Sequence, residues 1–163
     1  MTPMPSWLPG LLSPNGTHAE QIEQLYAVYQ NDFVSSKPHY DGCPVFRNRR
    51  IRPGTQHEES FWHFITPGKH KDNNIDPIRA ERLPWAGSIL RNWDKAEITR
   101  WDYVEGDGDI NTYLWIRDAD YVMVLERRPD RQYVNVYQLV TAYPIDGEGR
   151  KKSLERKFVK RLA

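Results

Sequence analysis

The chain is 163 residues long and carries 23 basic and 22 acidic side chains, so its formal net charge at neutral pH is +1. A net charge this small excludes a whole-chain attraction to nucleic acids or membranes, and any such attraction must come from local patches. Aromatic residues make up 12% of the sequence, which supplies bulky side chains for one folded core. The single cysteine, Cys43, excludes an intrachain disulfide and favours a reducing, cytoplasmic setting.

The first sixteen residues predict an extended arm, because four prolines and two glycines interrupt them. Trp7, Leu8 and Leu11 are candidates for attaching this arm to the rest of the chain. Residues 17–163 are predicted to form one domain. No segment approaches the roughly 20 consecutive apolar residues of a membrane-spanning helix, so we expect no membrane association.

Helical spacing of apolar residues predicts three helical regions. The first begins at a capping box formed by Thr17 and Glu20. The second covers residues 76–93 and is divided by Pro84. Residues 149–163 have the pattern of a basic amphipathic helix.

From residue 96 the apolar period changes from 3.6 to 2, which indicates strands. Four of them are predicted, near residues 98–104, 112–117, 121–127 and 132–143. Only antiparallel neighbours can be joined by links as short as those between them. The fold class is therefore α+β, with N-terminal helices packed on one face of a four-stranded antiparallel β-meander, and with a basic C-terminal helix. The second face of the sheet is left for a ligand.

Alternation along the last strand divides its side chains between the two faces of the sheet. The set assigned to the core is Val134, Val136, Val140 and Ala142. The opposite set is half polar and includes Tyr137, Thr141 and Tyr143, which are candidates for lining a site.

The densest set of groups suited to acid–base chemistry lies between Phe61 and Asp72 and in the helix that follows. A ribonuclease that uses no metal needs a base for the 2′-hydroxyl, an acid for the leaving 5′-oxygen and cations for the charge that develops on the phosphate. The candidates are His63, His70, Lys69, Lys71 and Arg82. In the structural alternative, His63 is a hydrogen-bonded core histidine and the lysines belong to a solvated loop.

A divalent metal ion is the other alternative for this region, with His63, His70, Asp72 and Asp76 as its ligands. Their spacing matches none of the established metal-binding motifs. The sequence also lacks a glycine-rich phosphate loop. We therefore expect neither a metal nor an organic cofactor.

The strand end Val140-Thr141-Ala142-Tyr143-Pro144 comes last in the meander, after Phe61-Trp62-His63 and after Arg79 and Arg82. In this order of elements and motifs, roughly residues 60–145 resemble the BECR group of small nucleases, named for barnase, EndoU, colicin nucleases and RelE. The phage- and toxin-associated branches of that group are the most similar.

The resemblance implies a metal-independent endoribonuclease, often a toxin, that leaves a 2′,3′-cyclic phosphate. It implies that His63 is a general acid or base, that Arg82 and Arg79 bind the phosphate, and that Thr141 and Tyr143 orient it or stack on a base. His70, with Lys69 or Lys71, would correspond to the second histidine and the lysine of EndoU-like members. A cognate antitoxin or immunity protein is the implied protein partner.

Local basic clusters also favour RNA as a partner. They lie at residues 47–52 and 150–161, and an exposed Tyr137 or Tyr143 is a candidate for stacking on unpaired bases. The alternative function is a non-catalytic module of phage or mobile-element origin that binds RNA or protein through the same groups. A third hypothesis assigns protein binding to the proline-rich arm and Trp7.

Overall fold

A six-stranded sheet organises the structure, a computed structural model that describes residues 4–67, 73–132 and 135–163. The helices are α1 (His18–Tyr29), α2 (Glu59–Ile65), α3 (Pro77–Glu81), α4 (Leu83–Arg91) and α5 (Glu148–Val159). The strands are β1 (His39–Tyr40), β2 (Cys43–Phe46), β3 (Ile98–Val104), β4 (Ile110–Ile116), β5 (Tyr121–Pro129) and β6 (Asn135–Pro144).

The strand order is β1-β2-β6-β5-β4-β3, with β2 parallel to β6 and the other neighbours antiparallel. The α+β class is confirmed, but the prediction of a four-stranded antiparallel sheet is wrong. The four predicted strands do pair as antiparallel neighbours, and β2 and β1 extend the sheet beyond β6. Short turns indicate local hairpins. β2, however, pairs with β6 some 90 residues later in the chain, and no local sequence pattern predicts that pairing.

The four N-terminal helices cover one face of the sheet. Thr17 caps α1 by accepting a hydrogen bond from the Glu20 backbone N–H at 3.2 Å, as the capping box predicts. A π-helical turn, Gln30–Ser35, continues α1 and buries Phe33. Asp76 caps α3 through the backbone N–H groups of Ile78 and Arg79, and α4 begins next to Pro84, so the predicted interruption separates two helices.

The proline-rich arm packs against the helices that cover the sheet. The indole N–H of Trp85 donates to the carbonyl of Pro9 at 2.9 Å, and the Ser88 hydroxyl donates to the carbonyl of Trp7 at 3.1 Å. Trp7, Leu8 and Leu12 contact the helix-side core, whereas Leu11 is half exposed. The apolar attachment therefore includes Leu12 instead of the predicted Leu11.

The second face of the sheet is not left open along β3 and β4. A cluster of Trp101, Tyr113, Trp115 and Val122 lies there, and α5 packs on it through Leu154 and Phe158. The expectation of a free sheet face is therefore wrong for this half, because its large aromatic side chains require a cover. Within the described residues, no helix has the length and apolar character needed to cross a membrane.

A β-bulge in β6 changes which side chains face the helices. Val124 of β5 pairs with Thr141 and Leu125 pairs with Leu139, so Val140 has no partner and the alternation shifts by one residue. Tyr137 and Leu139 are consequently buried on the helix side.

The core assignment of the last strand is corrected by this shift. Ala142 lies in the helix-side core as predicted. Val136 is only partly buried and Val140 is 37% exposed, so their assignment to the core is wrong. Val134 lies outside the described residues.

Candidate functional site

A cleft of about 670 Å³ lies at one end of the sheet, where α3, the turn after β4 and the start of α5 meet. Its lining combines arginines with carboxylates: Arg79, Arg82, Arg150, Asp76, Asp118, Asp120 and Asp146, together with Met4, Pro67, Ile78, Ala119, Pro144 and Ile145. The structure thus brings Arg79 and Arg82, two predicted phosphate ligands, into one concave site.

Arg79 is the most enclosed cation of this cleft. Its side chain is 12% exposed, its Nη1 donates to the carbonyl of His63 at 3.1 Å, and its Nε lies 3.8 Å from Oδ2 of Asp76. The guanidinium carbon is 5.5 Å from the ring centroid of Tyr143. Burial lowers the pKa of Arg79, and the positive charge of Arg150 lowers it further, while Asp76 acts in the opposite direction.

Arg82 and Arg150 differ in how the protein holds them. Arg82 contacts the carboxylate of Glu81, donates to the carbonyl of Ile78 and lies 5.2 Å from the ring centroid of Trp85. Arg150 is exposed, and its guanidinium has no hydrogen bond or ion pair with any described residue. Its charge is therefore available to a ligand in the cleft.

Two of the four described carboxylates that line the cleft form ion pairs with protein groups, and the other two are exposed. Asp76 caps α3 and faces Arg79. Asp120, which has a left-handed backbone (φ 49°), lies 3.3 Å from the Lys151 ammonium. Asp118 and Asp146 are exposed. Exposed carboxylates can accept hydrogen bonds from the amino groups of a nucleobase.

His63 lies in the last turn of α2, and α2 packs against β6. The His63 carbonyl accepts the hydrogen bond from Arg79 of the cleft. Its side chain is 44% exposed, so the core-histidine interpretation is wrong. Its Nε2 is 3.8 Å from Oε2 of Glu59, and the same oxygen accepts a hydrogen bond from Nε of Arg52 at 3.0 Å.

The last strand supplies only part of the predicted site. Tyr143 is near Arg79, but Thr141 pairs with Val124 in the sheet and makes no side-chain hydrogen bond to Arg79, Arg82 or His63. Tyr137 is 6% exposed and packs edge-on against Tyr40, with ring centroids 4.9 Å apart. Burial raises its pKa to about 12.

The prediction that Tyr137 is exposed and stacks on a base is therefore wrong. The β-bulge at Val140 places the Tyr137 ring among the helices instead of on the open side of the sheet. The remaining predicted residues, Lys69, His70 and Lys71, lie outside the described residues.

Three residues of this region were not singled out for the site by the sequence reasoning. In the sequence, Arg150 and Arg52 are distinguished only as members of the basic clusters at residues 150–161 and 47–52. Glu59 precedes His63 by four residues, and this i,i+4 spacing on a helix is the sequence signal that could have found it.

The described residues contain no group of three or more histidine, cysteine, aspartate or glutamate side chains arranged to hold a metal ion. Two members of the alternative ligand set, His70 and Asp72, lie outside the described residues. Comparison of the chain with protein-family models, with curated proteins and with solved structures found no match.

Proposed function

We propose that the protein is a metal-independent endoribonuclease of the toxin type, which cleaves RNA by attack of a 2′-hydroxyl and leaves a 2′,3′-cyclic phosphate. The observation that carries the proposal is the pair of cations in the cleft. Arg79, whose side chain is 12% exposed, and the exposed Arg150, whose guanidinium has no ion pair with any described residue, both line the cleft.

Two like charges in one cleft repel each other, and an anion between them removes the repulsion. Guanidinium groups match phosphate oxygens in geometry and form paired hydrogen bonds with them. RNA supplies such an anion at every nucleotide. Arg79 is fixed by the carbonyl of His63 and by Tyr143, so little conformational entropy is lost when it binds a phosphate.

His63 is proposed to carry one of the two proton transfers. In the first step the 2′-oxygen bonds to phosphorus, its proton passes to a base, and the P–O5′ bond breaks as an acid protonates the 5′-oxygen. The half-exposed imidazole can take either role, and its Nε2 lies 3.8 Å from Oε2 of Glu59. His70, Lys69 and Lys71, outside the described residues, are the proposed sources of the second proton transfer.

The test is cleavage of total RNA and of transfer RNA in the presence of EDTA, with analysis of the product ends. Wild-type protein is expected to cleave and to leave cyclic phosphates, and His63→Ala is expected to lose at least about a hundredfold in rate. His18→Ala is the matched control, because His18 is exposed and lines a different cavity. Equal rates for wild type and His63→Ala would refute the proposed role of His63.

A non-catalytic RNA-binding module is the second candidate function. It is favoured by one observation: none of the described residues that line the cleft is a histidine. A folded wild-type protein that retains RNA at low salt without cleaving it, and whose His63→Ala variant binds equally well, would establish this alternative and exclude the nuclease.

A further inference from the structure

The segment that follows β2 combines exposed apolar and cationic side chains on a fixed backbone. Phe46 is 52% exposed and Ile51 is 48% exposed. Arg49 and Arg50 between them are also exposed. Neither arginine has a hydrogen bond or ion pair from its guanidinium to any residue in the described parts of the chain.

The backbone of this segment is attached to the first turn of α2. The Glu59 N–H donates to the carbonyl of Arg50 at 2.8 Å, and the Ser60 N–H donates to the carbonyl of Asn48 at 3.3 Å. The Ser60 hydroxyl also accepts from the Asn48 N–H at 2.7 Å. These bonds hold the backbone, so the exposed side chains are presented on a preorganised support.

The direction of Phe46 follows from the register of the sheet. Val45 is buried among the helices and pairs with Tyr137, so Phe46, the next residue of the strand, points to the opposite face. Arg47 turns back toward the core, where its Nη1 donates to the carbonyl of Phe33 at 3.1 Å. Phe46 is therefore an aromatic ring that the fold leaves on its surface.

The segment is adjacent to the proposed acid–base group. Arg52, two residues after Arg50, donates through Nε to Glu59, and the same carboxylate oxygen lies 3.8 Å from Nε2 of His63. A strand of RNA whose scissile phosphate lies near His63 can thus continue toward Arg50 and Arg49, and Phe46 lies three residues before Arg49 on the opposite face of the sheet.

We infer that residues 46–50 bind the single-stranded nucleotides that flank the cleavage point. The Phe46 ring stacks on an unpaired base, while Arg49 and Arg50 contact neighbouring phosphates. An aromatic ring beside unpaired arginines is the combination that binds single strands without base specificity. This inference rests on the proposed function and extends it from the scissile phosphate to the nucleotides beside it.

The experiment measures binding of a short single-stranded RNA in which every 2′-hydroxyl is methylated, so that it cannot be cleaved by 2′-hydroxyl attack. The RNA carries one 2-aminopurine, whose fluorescence is quenched by stacking, and its affinity is measured as a function of salt. The variants are Phe46→Ala, Phe46→Trp and the double variant Arg49→Ala/Arg50→Ala. The matched controls are Val104→Ala, which removes another exposed apolar side chain, and Lys95→Ala/Arg131→Ala, which removes two exposed cations outside both basic clusters.

Phe46→Ala is expected to weaken binding about tenfold and to abolish the quenching, whereas Phe46→Trp retains both. Arg49→Ala/Arg50→Ala is expected to reduce the slope of log affinity against log salt by about 1.4, since each phosphate contact on a single strand contributes roughly 0.7. The control variants are expected to stay within about twofold of wild type, as exposed positions outside a binding site do.

Wild-type affinity and quenching in both the Phe46→Ala and the Arg49→Ala/Arg50→Ala variants would overturn the inference, and EDTA-resistant, His63-dependent cleavage would then leave the proposed function standing. Failure of the wild type to bind or cleave RNA would overturn both. Self-association of the wild type that Phe46→Ala abolishes, without any change in RNA affinity, would assign the surface to a second copy of the chain and also overturn the inference.

Discussion

Gly87 in α4 tests how closely the helices pack beside the sheet. A Cβ added at this position would lie 2.6 Å from both Cγ and Oδ2 of Asp32, and 2.8 Å from the Cβ of Asp32. Asp32 is 8% exposed, and its Oδ1 accepts a hydrogen bond from Nη1 of Arg91 at 3.2 Å. The carboxylate cannot move away without disturbing that contact, so Gly87→Ala must displace one helix from the other.

The size of the effect follows from two opposing contributions. Alanine gains about 1 kcal/mol over glycine in helix propensity. Overpacking costs roughly 1–3 kcal/mol, and disturbing the hydrogen bond of the buried carboxylate adds about 1–3 kcal/mol. We therefore expect Gly87→Ala to lower the free energy of unfolding by about 1–5 kcal/mol, although the same change stabilises an unobstructed helix.

The assay is urea unfolding, with the midpoint compared at an unchanged slope. The control is Gly149→Ala in α5, where the added Cβ would have no described atom within 4 Å apart from its chain neighbours and its own helix backbone, and where we expect a gain of up to about 1 kcal/mol. A Gly87→Ala variant as stable as the wild type, or more stable, would refute the close packing of Gly87 on Asp32.

Three further outcomes are expected. Leu154 is 5% exposed and lies on the face of α5 that covers the sheet. Leu154→Ala should lower the free energy of unfolding by about 2–5 kcal/mol and lower the Tm measured by calorimetry by roughly 4–20 °C. Lys152→Ala, at an exposed position of the same helix, is the control and should leave the Tm unchanged. Burial and a 2.6 Å hydrogen bond to Glu58 raise the pKa of Tyr26 to about 12. An unfolded chain loses this proton from about pH 10, so wild-type stability should fall as pH rises from 10 to 12, and less steeply in Tyr26→Phe. Arg150→Ala should keep the wild-type Tm in the absence of phosphate and lose most of the Tm increase that inorganic phosphate produces in the wild type.

Local patterns in the sequence predict α1, the α3–α4 region, α5 and the meander because each depends on neighbouring residues, whereas the short helix α2 was not predicted. The capping box at Thr17, the cap at Asp76 and the turn sequences of the hairpins act over a few positions, and all are found in the structure. The parallel pairing of Val45 with Tyr137 depends on contacts between distant segments, and periodicity carries no information about it.

The candidate site was harder to predict from the sequence because one unpaired residue in β6 shifts the alternation of side chains between the two faces of the sheet. Strict alternation along the strand predicts that Tyr137 faces away from the helices. Because Val140 is an unpaired extra residue, Tyr137 instead faces the helices and is buried in the core. Arg79 and Arg82 lie in one predicted helical region, whereas Arg150 reaches the same cleft from the C-terminal helix. Phe46 was overlooked because its exposure depends on β2 joining the sheet.

The most direct test of the proposed ribonuclease compares two oligonucleotides of one sequence, one of RNA and one with hydrogen in place of every 2′-hydroxyl, treated with wild-type protein in EDTA. Attack by the 2′-hydroxyl predicts that the RNA is cut to cyclic phosphate ends and that the deoxy oligonucleotide stays intact. Cleavage of the deoxy oligonucleotide, or cleavage of RNA that stops in EDTA and returns with added divalent metal, would contradict the account.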